Sequence, residues 1–261
     1  MSYAHDLEAA KRQGEVVAER EHRPYPMPDG HWLMGQTWER LAFLHWRVPV
    51  EALREVVHPA VPIDTFDGSA WLGITPFTVS GLHVRGTPPP PIAASFHEIN
   101  VRTYATIDGR PGIYFLSLDA SSRLAVEAAR RVYRVPYFEA DIHVESEGDR
   151  IHYTSERTQS DGPAAGIDAA YGPEGDPYNA EPGTLDHWLT ERYRLYTLDG
   201  DQRVQRGEIH HPPWPLQRAT ATLARNTMAQ PYGIELRGEP LVHYGARQDV
   251  VFWPLQPIDH S

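Results

Sequence analysis

Strand-like runs bounded by turn residues are the feature that most limits the folds open to this chain. The clearest is a hairpin in residues 96–119, in which FHEINVRTYATI and IYFLSLDA flank the turn DGRPG. A second hairpin is predicted in residues 137–158, and Asp67-Gly68 is a hairpin dipeptide between two further runs. Predicted helices are short and few, so alternating parallel βαβ units do not fit. The pattern predicts a mainly β (α+β) fold, a curved antiparallel sheet or barrel with a few peripheral helices.

The chain of 261 residues is long enough for one large domain with a substantial core. Residues 1–30 are polar and end in the helix-breaking run PYPMPDG, which predicts an N-terminal polar or helical arm. Residues 31–255 are predicted to form a single domain. Within it, residues 159–184 are dense in Gly, Pro and Asp and are predicted to be a long functional or mobile loop. Helices are predicted at 49–60 and 121–134, and a third is compatible with 218–229.

Charge and composition disfavour several classes of partner and chemistry. The 24 basic and 35 acidic residues give a formal charge of −11, whereas a nucleic-acid-binding protein is expected to be basic. The absence of Cys removes disulfides, thiolate nucleophiles and Cys-based metal sites. No run approaches the ~18 apolar residues of a membrane span, and the N-terminal residues carry no secretory apolar core. We therefore expect a cytoplasmic protein that binds neither nucleic acid nor membranes.

The strand FHEINVRTY is the most informative candidate for a site. Period-two alternation places one set of side chains on the same face: Phe96, Glu98, Asn100, Arg102 and Tyr104. Ile99 and Val101 mark the opposite face as core. Two interpretations remain open at this stage: a solvated outer face with a Glu–Arg pair, or the lining of a polar cavity inside a barrel. In the second, Arg would fix a carboxylate and Glu would act as acid or base.

Other polar clusters carry weaker signals. The stretch 186–196 is rich in charges and aromatic residues, and an ordinary surface strand with ion pairs accounts for it. In GEIHHPPWP, His210 and His211 point to opposite faces of a continuing strand, so the two cannot easily bind one metal ion. No zinc-protease, P-loop, dinucleotide-binding or nucleophile-elbow motif is present. A His-dependent metalloenzyme therefore stays only as a weaker alternative.

Six runs together resemble a known family. These are LAFLHWRVP, DTFDGSAWLGITPF, EINVRTY, GIYFLSLDA, LTERYRLY and GEIHHPPWPLQ, in this order. The pattern resembles the YqjF-like family of unknown function, in the acetoacetate-decarboxylase-like superfamily, over residues 31–255. The resemblance implies a cone-like antiparallel barrel around a buried pocket with helices outside. It implies no particular reaction, since the family has none assigned.

The superfamily resemblance also bears on Schiff-base chemistry. Acetoacetate decarboxylases use a Lys in a segment resembling R-E-x-x-G-x-P-K, and the similar segment here is residues 130–137, which ends in Tyr137. A phenol cannot form an iminium with a ketone. Of the 24 basic residues only Lys11, in the polar arm, is a lysine. We therefore expect no Schiff-base decarboxylation. Glu98 is the best match to a pocket carboxylate of the decarboxylases.

The candidate site residues follow from these arguments. Glu98 and Tyr137 are the predicted catalytic residues. The predicted substrate-binding residues are Arg102, Tyr104, Asn100, Arg40, His45, Arg123 and Glu191. This set favours a small oxo-acid or carbonyl ligand and a lyase, isomerase or cyclase without cofactor or metal, in which Glu moves a proton and Tyr binds a developing enolate. The alternative is a non-catalytic ligand-binding or sensor protein, and a homo-oligomer is compatible with either.

Overall fold

The computed structural model describes residues 2–91, 94–124, 126–127, 134–160 and 162–258. The helices are α1 (Tyr3–Gln13), α2 (Val50–Arg54) and α3 (Leu185–Thr190). The strands are β1 (Met34–Val48), β2 (Ala70–Val84), β3 (Phe96–Ile107), β4 (Arg110–Ala120), β5 (Tyr137–Glu147), β6 (Arg150–Arg157), β7 (Gly166–Tyr178), β8 (Arg194–Leu198), β9 (Val204–His210), β10 (Leu216–Asn226), β11 (Leu241–Phe252) and β12 (Gln256–Pro257). The mainly β fold with few helices is confirmed.

The described strands form one sheet that closes on itself twice. Pairing of β9 with β11 closes a seven-strand barrel made of β1, β2, β3, β4, β8, β9 and β11. Pairing of β4 with β5 closes a nine-strand barrel that continues from β11 through β10, β7 and β6. The two barrels therefore share one wall, β11-β1-β2-β3-β4. Nearly all pairings are antiparallel, and β4 makes parallel pairs with β5 and β8.

Strands of the shared wall bury both faces, because each face looks into a different barrel. On β3, Ile99 and Val101 join a hydrophobic cluster with Ile142 of β5. Phe96, on the other face, joins a second cluster with Leu195 of β8. The choice between a solvated face and a cavity lining on β3 is thereby resolved, since neither face meets bulk solvent. A single strand can carry two interiors because successive side chains alternate across it.

Several local predictions are confirmed by the pairing. The 96–119 hairpin is β3 and β4, and its turn places Asp108 and Gly109 at φ values of 52° and 67°. Two positive φ values are the geometry of a type I′ turn, which matches the twist of the strands it joins. The 137–158 hairpin is β5 and β6. Half of the predicted 121–134 helix, residues 125 and 128–133, lies outside the described residues.

The 159–184 loop prediction is wrong for residues 166–178, which form β7 between β6 and β10. Gly is required at one point of this strand, since a Cβ on Gly166 would lie 2.7 Å from the Ser155 carbonyl oxygen. A composition that is typical of loops here serves close strand packing. The helix considered for 218–229 is also wrong for its first part, because β10 alternates between half-buried and exposed residues along the edge of β7.

The N-terminal arm docks on the barrel through α1. Gly81 of β2 donates its N–H to the Asp6 carboxylate at 2.9 Å, and Ser95 donates to the same oxygen at 2.6 Å. Gln13 is fully buried and donates to Thr37 Oγ1 at 2.9 Å. None of the helices in the described ranges is both long and apolar enough to cross a membrane.

Candidate functional site

The interior of the seven-strand barrel holds a cavity of about 590 Å³. Each of its seven strands contributes at least one lining residue, so the cavity occupies the barrel axis. Its wall is mostly apolar and includes Leu41, Phe77, Phe96, Ile113, Phe115, Leu118, Leu195, Ile209 and Phe252. Polar groups are concentrated on β3, where Glu98, Asn100 and Arg102 all line it, and Tyr137 joins them from β5. Apolar walls with a few convergent polar groups are typical of a small-molecule site.

Glu98 and Tyr137 form a buried acidic pair. Tyr137 donates its hydroxyl to Glu98 Oε2 at 2.8 Å, and Glu98 is 4% exposed. Burial raises the pKa of Glu98 to about 8, and nearby Asp119 adds to the rise while the Tyr137 hydrogen bond opposes it. The carboxyl group is therefore mostly protonated at neutral pH and can exchange its proton near that pH. A carboxyl group tuned in this way is suited to acid–base chemistry.

Asn100 and Arg102 carry unused hydrogen-bonding capacity. Both are at least nine-tenths buried, at 5% and 6% exposure. Asn100 Oδ1 and Arg102 Nε have no hydrogen-bond partner in the described part of the chain. Within the same residues, no carboxylate oxygen lies within 4.0 Å of the Arg102 guanidinium. A buried guanidinium without a carboxylate is costly, which makes this position a candidate anion site.

Local geometry explains how these groups reach the cavity. Residues 98, 100 and 102 share a face of β3. Opposite Val101 and Arg102, the partner strand β4 has one extra residue, Leu116, which forms a bulge. Because the extra residue is on β4, the alternation of side chains along β3 is not interrupted. Gly73 of β2 pairs with Arg102, and a Cβ there would lie 3.3 Å from Arg102 Cγ and Nε. Tyr137 reaches Glu98 because β5 starts beside Leu118 in a parallel pair with β4.

Tyr104 and His45 lie next to Arg102 but do not line the cavity. Tyr104 OH lies 2.7 Å from His45 Nε2 and donates to the Leu189 carbonyl at 3.1 Å. Burial, together with Arg102 and His243, lowers the pKa of His45 well below its usual value. His45 is therefore neutral. Because Tyr104 OH gives its one proton to the Leu189 carbonyl, His45 donates to Tyr104 from Nε2. Both side chains support the end of the cavity near Arg102 from outside it.

The structure also separates Arg40, Arg123 and Glu191 from the cavity. Arg40 sits at φ 53° in an irregular stretch of β1, and its guanidinium lies 3.3 Å from Ser146 Oγ. Arg123 is exposed and ion-pairs with Glu127 and Glu139. Glu191 accepts hydrogen bonds from Tyr193 OH at 2.5 Å and Trp214 N at 2.9 Å. The expectation that these three share a pocket with Glu98 is not met, because residue type alone selected them.

Sequence reasoning missed the lining that comes from β1 and β2. Gln36, Thr75 and His83 add polar groups to the cavity wall. Gln36 accepts from Trp38 Nε1 at 2.8 Å, and burial lowers the pKa of His83, which keeps the imidazole neutral. Only strand alternation in β1 and β2 could have pointed to these positions, and it does not reveal which face meets a cavity.

The adjacent histidines serve the backbone. His210 Nε2 lies 3.1 and 3.0 Å from the carbonyl oxygens of Val16 and Glu19, and both histidines are buried. His211 Nδ1 lies 2.7 Å from the Pro212 carbonyl. In the ranges that the structure covers, no group of three His, Asp or Glu side chains is arranged to hold a metal ion.

The fold of this chain is shared with solved structures of very different sequence. The enduracididine biosynthesis enzyme MppR, complexed with pyruvate, aligns with a TM-score of 0.61 at 13% identity over 92% of this chain and 95% of that one. An acetoacetate decarboxylase aligns at 0.60 and 13% identity over 94% and 97%. The acetoacetate decarboxylase of Legionella pneumophila subsp. pneumophila str. Philadelphia 1 aligns at 0.59 and 10% identity over 94% and 95%. The protein therefore has the acetoacetate decarboxylase-like fold.

Sequence comparison assigns this chain to a particular family. Residues 35–249 match the DUF2071 family of uncharacterized conserved proteins. The uncharacterized protein YqjF of Bacillus subtilis (strain 168) is 48% identical over 231 residues, which cover 88% of this chain and 94% of that protein. The chain belongs to the DUF2071 family and is a YqjF-like protein, which confirms the resemblance seen in the six sequence runs.

Proposed function

We propose that this protein is a cofactor-free acid–base enzyme acting on a carbonyl compound that bears a carboxylate. The observation that carries the proposal is Arg102, a buried guanidinium that faces the cavity and has no carboxylate partner among the residues that the structure describes. A ligand carboxylate would supply the missing charge and accept paired N–H donors from the guanidinium. Its two neighbours on the same strand face, Asn100 and Glu98, then lie along the rest of the ligand.

The proton step uses Glu98 as the group that moves the proton. Its carboxylate form takes a proton from the carbon next to the carbonyl, and the electron pair of that C–H bond moves onto the carbonyl oxygen. The Asn100 amide donates a hydrogen bond to the resulting enolate oxygen. Glu98 returns the proton to carbon, at the same or another position. Its pKa of about 8 means that both proton states are accessible near neutral pH.

Imine chemistry is not part of the proposal. The one lysine, Lys11, is exposed on α1 and does not line the cavity. Tyr137 stands where sequence resemblance places the Schiff-base lysine of the decarboxylases, and its hydroxyl is bonded to Glu98. The mechanism inferred here therefore replaces covalent attachment with Arg102 binding and proton transfer by Glu98.

Hydrogen–deuterium exchange at carbon tests the acid–base step without knowledge of the final product. The wild-type protein should accelerate exchange of the C–H protons beside the carbonyl of 2-oxooctanoate in D₂O, followed by NMR. Glu98→Gln should slow that exchange by about 10²–10⁴-fold. Arg123→Gln, which removes an exposed arginine outside the cavity, should leave it unchanged.

The second candidate is a non-catalytic binding protein, which the largely apolar cavity also favours. In that case 2-oxooctanoate would bind in an Arg102-dependent way with no exchange above the buffer rate. Such a result would contradict the enzymatic proposal and establish binding alone. Failure to bind together with failure to exchange would contradict both candidates.

A further inference from the structure

The size and shape of the cavity restrict what lies beyond the carboxylate. The lining residues of β3 run from Arg102 to Phe96, a length of roughly 20 Å at about 3.3 Å per residue. A small oxo-acid would fill only the part near Arg102 and leave apolar wall without contacts. The cavity therefore has space for a ligand with a long apolar body.

The exposed lining residues indicate an opening at the end of the cavity away from Arg102. Arg102 pairs with Gly73 of β2, Phe96 pairs with Val79, and β2 continues past that point to Val84. Val84 and Leu124 both line the cavity and are 51% and 58% exposed. Thr87, Pro88 and Pro90, which follow the end of β2, line it as well. The cavity thus has a polar end inside the barrel, at Arg102, and an apolar end at the mouth, where the apolar side chains are exposed.

Charge is confined to the interior end. Arg102 is the one permanent cation among the described lining residues, and Glu98 is the one acid. The remaining polar residues of the lining are uncharged, and His83 is kept neutral by burial. One cation at one end of a long apolar space complements one carboxylate on an apolar chain or ring.

We propose that the ligand is an amphipathic monocarboxylate, with its carboxylate on Arg102 and its apolar chain or ring extending toward the mouth between Val84 and Leu124. This inference rests on the proposed function for its polar end and adds the apolar body. Exposed large apolar side chains at the mouth are then contacts for the part of the ligand farthest from Arg102.

Calorimetric titration with unreactive straight-chain carboxylates tests the apolar body. Affinity should rise from butanoate through hexanoate and octanoate to decanoate, by up to about fourfold for each buried methylene. The methyl ester of octanoate should bind much more weakly than octanoate, since it lacks the charge that Arg102 recognises. Octylamine should not bind.

Variants at the mouth separate the two ends of the ligand. Val84→Glu and Leu124→Glu place a charge on exposed positions, so the fold should be retained. Each should weaken decanoate binding about tenfold or more and leave butanoate binding unchanged. Leu7→Glu is the matched control, because Leu7 is 43% exposed on α1 and does not line the cavity. It should bind every acid as wild type does.

The outcomes distinguish the apolar body from the polar end. Equal affinity for butanoate and decanoate, with binding still lost in Arg102→Met, would overturn the amphipathic ligand and leave the carboxylate site standing. Binding that is indifferent to Arg102→Met would overturn the carboxylate site and, with it, the placement of the head group. Rising affinity that is lost at the mouth only for long acids supports the proposal.

Discussion

Two buried arginines, Arg157 of β6 and Arg102 of β3, have opposite surroundings. Arg157 donates to both oxygens of Asp119 at 2.9 and 2.8 Å, and both side chains are fully buried. Its guanidinium also lies 3.8 Å from the centre of the Phe138 ring. Arg102 is as deeply buried, faces the cavity, and has no carboxylate within ion-pair distance among the described residues. A guanidinium that is paired with a carboxylate holds the fold together, whereas one without a carboxylate partner can pair with the carboxylate of a ligand.

The largest effect on stability is expected at the ion pair between Arg157 and Asp119. Asp119→Asn leaves the Arg157 guanidinium buried without its carboxylate, so the free energy of unfolding should fall by about 3–5 kcal/mol. Urea unfolding at neutral pH measures this. Asp141→Asn is the control, since Asp141 is 65% exposed beside His143, and its effect should stay within about 0.5 kcal/mol. An Asp119→Asn protein as stable as the control would break the comparison.

Next in size is the pH dependence that Glu98 imposes on stability. Its pKa is about 8 in the folded protein against an ordinary value of 4.5, so the folded state holds this proton more tightly. The stabilising contribution of Glu98 to the free energy of unfolding is fully present below pH 4.5 and is lost as pH rises through 8. Each tenfold difference in proton affinity corresponds to ~1.4 kcal/mol, which gives a few kcal/mol between the two limits.

Glu98→Gln should remove that dependence. Urea unfolding between pH 5 and pH 9 should show wild-type stability falling more steeply than that of the variant, with the variant the more stable protein at pH 9. Parallel stability curves for the two proteins would show that Glu98 is ionised at neutral pH. That result would contradict the claim that the site holds a protonated carboxyl group. Glu39→Gln, which removes a partly buried carboxyl group paired with His5, supplies a second carboxyl substitution for comparison.

The smallest effect is expected at Tyr137. Tyr137→Phe removes the hydrogen bond to Glu98 Oε2, which costs about 1 kcal/mol. Because that bond favours the ionised carboxyl, its loss should raise the pKa of Glu98 further. The midpoint of the pH-dependent loss of stability should move to higher pH. A shift to lower pH would contradict the arrangement of the pair.

Strand alternation made part of the site predictable. It placed Glu98, Asn100 and Arg102 on one face of β3, because side-chain direction along a strand is fixed by covalent geometry. It could not decide whether that face meets solvent, since this depends on pairings such as β9 with β11 that join distant segments. The same limit explains why Val84 and Leu124, forty residues apart in sequence, were not expected to line one cavity.

Composition was a poorer guide than alternation. The glycines, prolines and acidic residues of 159–184 indicated a loop, yet residues 166–178 form β7 because β6 and β10 supply partners on both sides. Arg40, Arg123 and Glu191 were chosen for their chemistry, and each is occupied by contacts outside the cavity. Charge type identifies candidates, and only the long-range pairing shows which of them face the barrel interior.

The most direct test of the account is the thermal unfolding of wild type and Arg102→Met with and without octanoate. Without ligand, Arg102→Met should be at least as stable as wild type, because the variant no longer buries a charge that lacks a carboxylate partner among the described residues. With octanoate, the Tm of wild type should rise with ligand concentration, and that of Arg102→Met should not. An Arg102→Met protein that loses several kcal/mol as Asp119→Asn does, and responds to octanoate as wild type does, would contradict the claim that the Arg102 charge is held for a ligand.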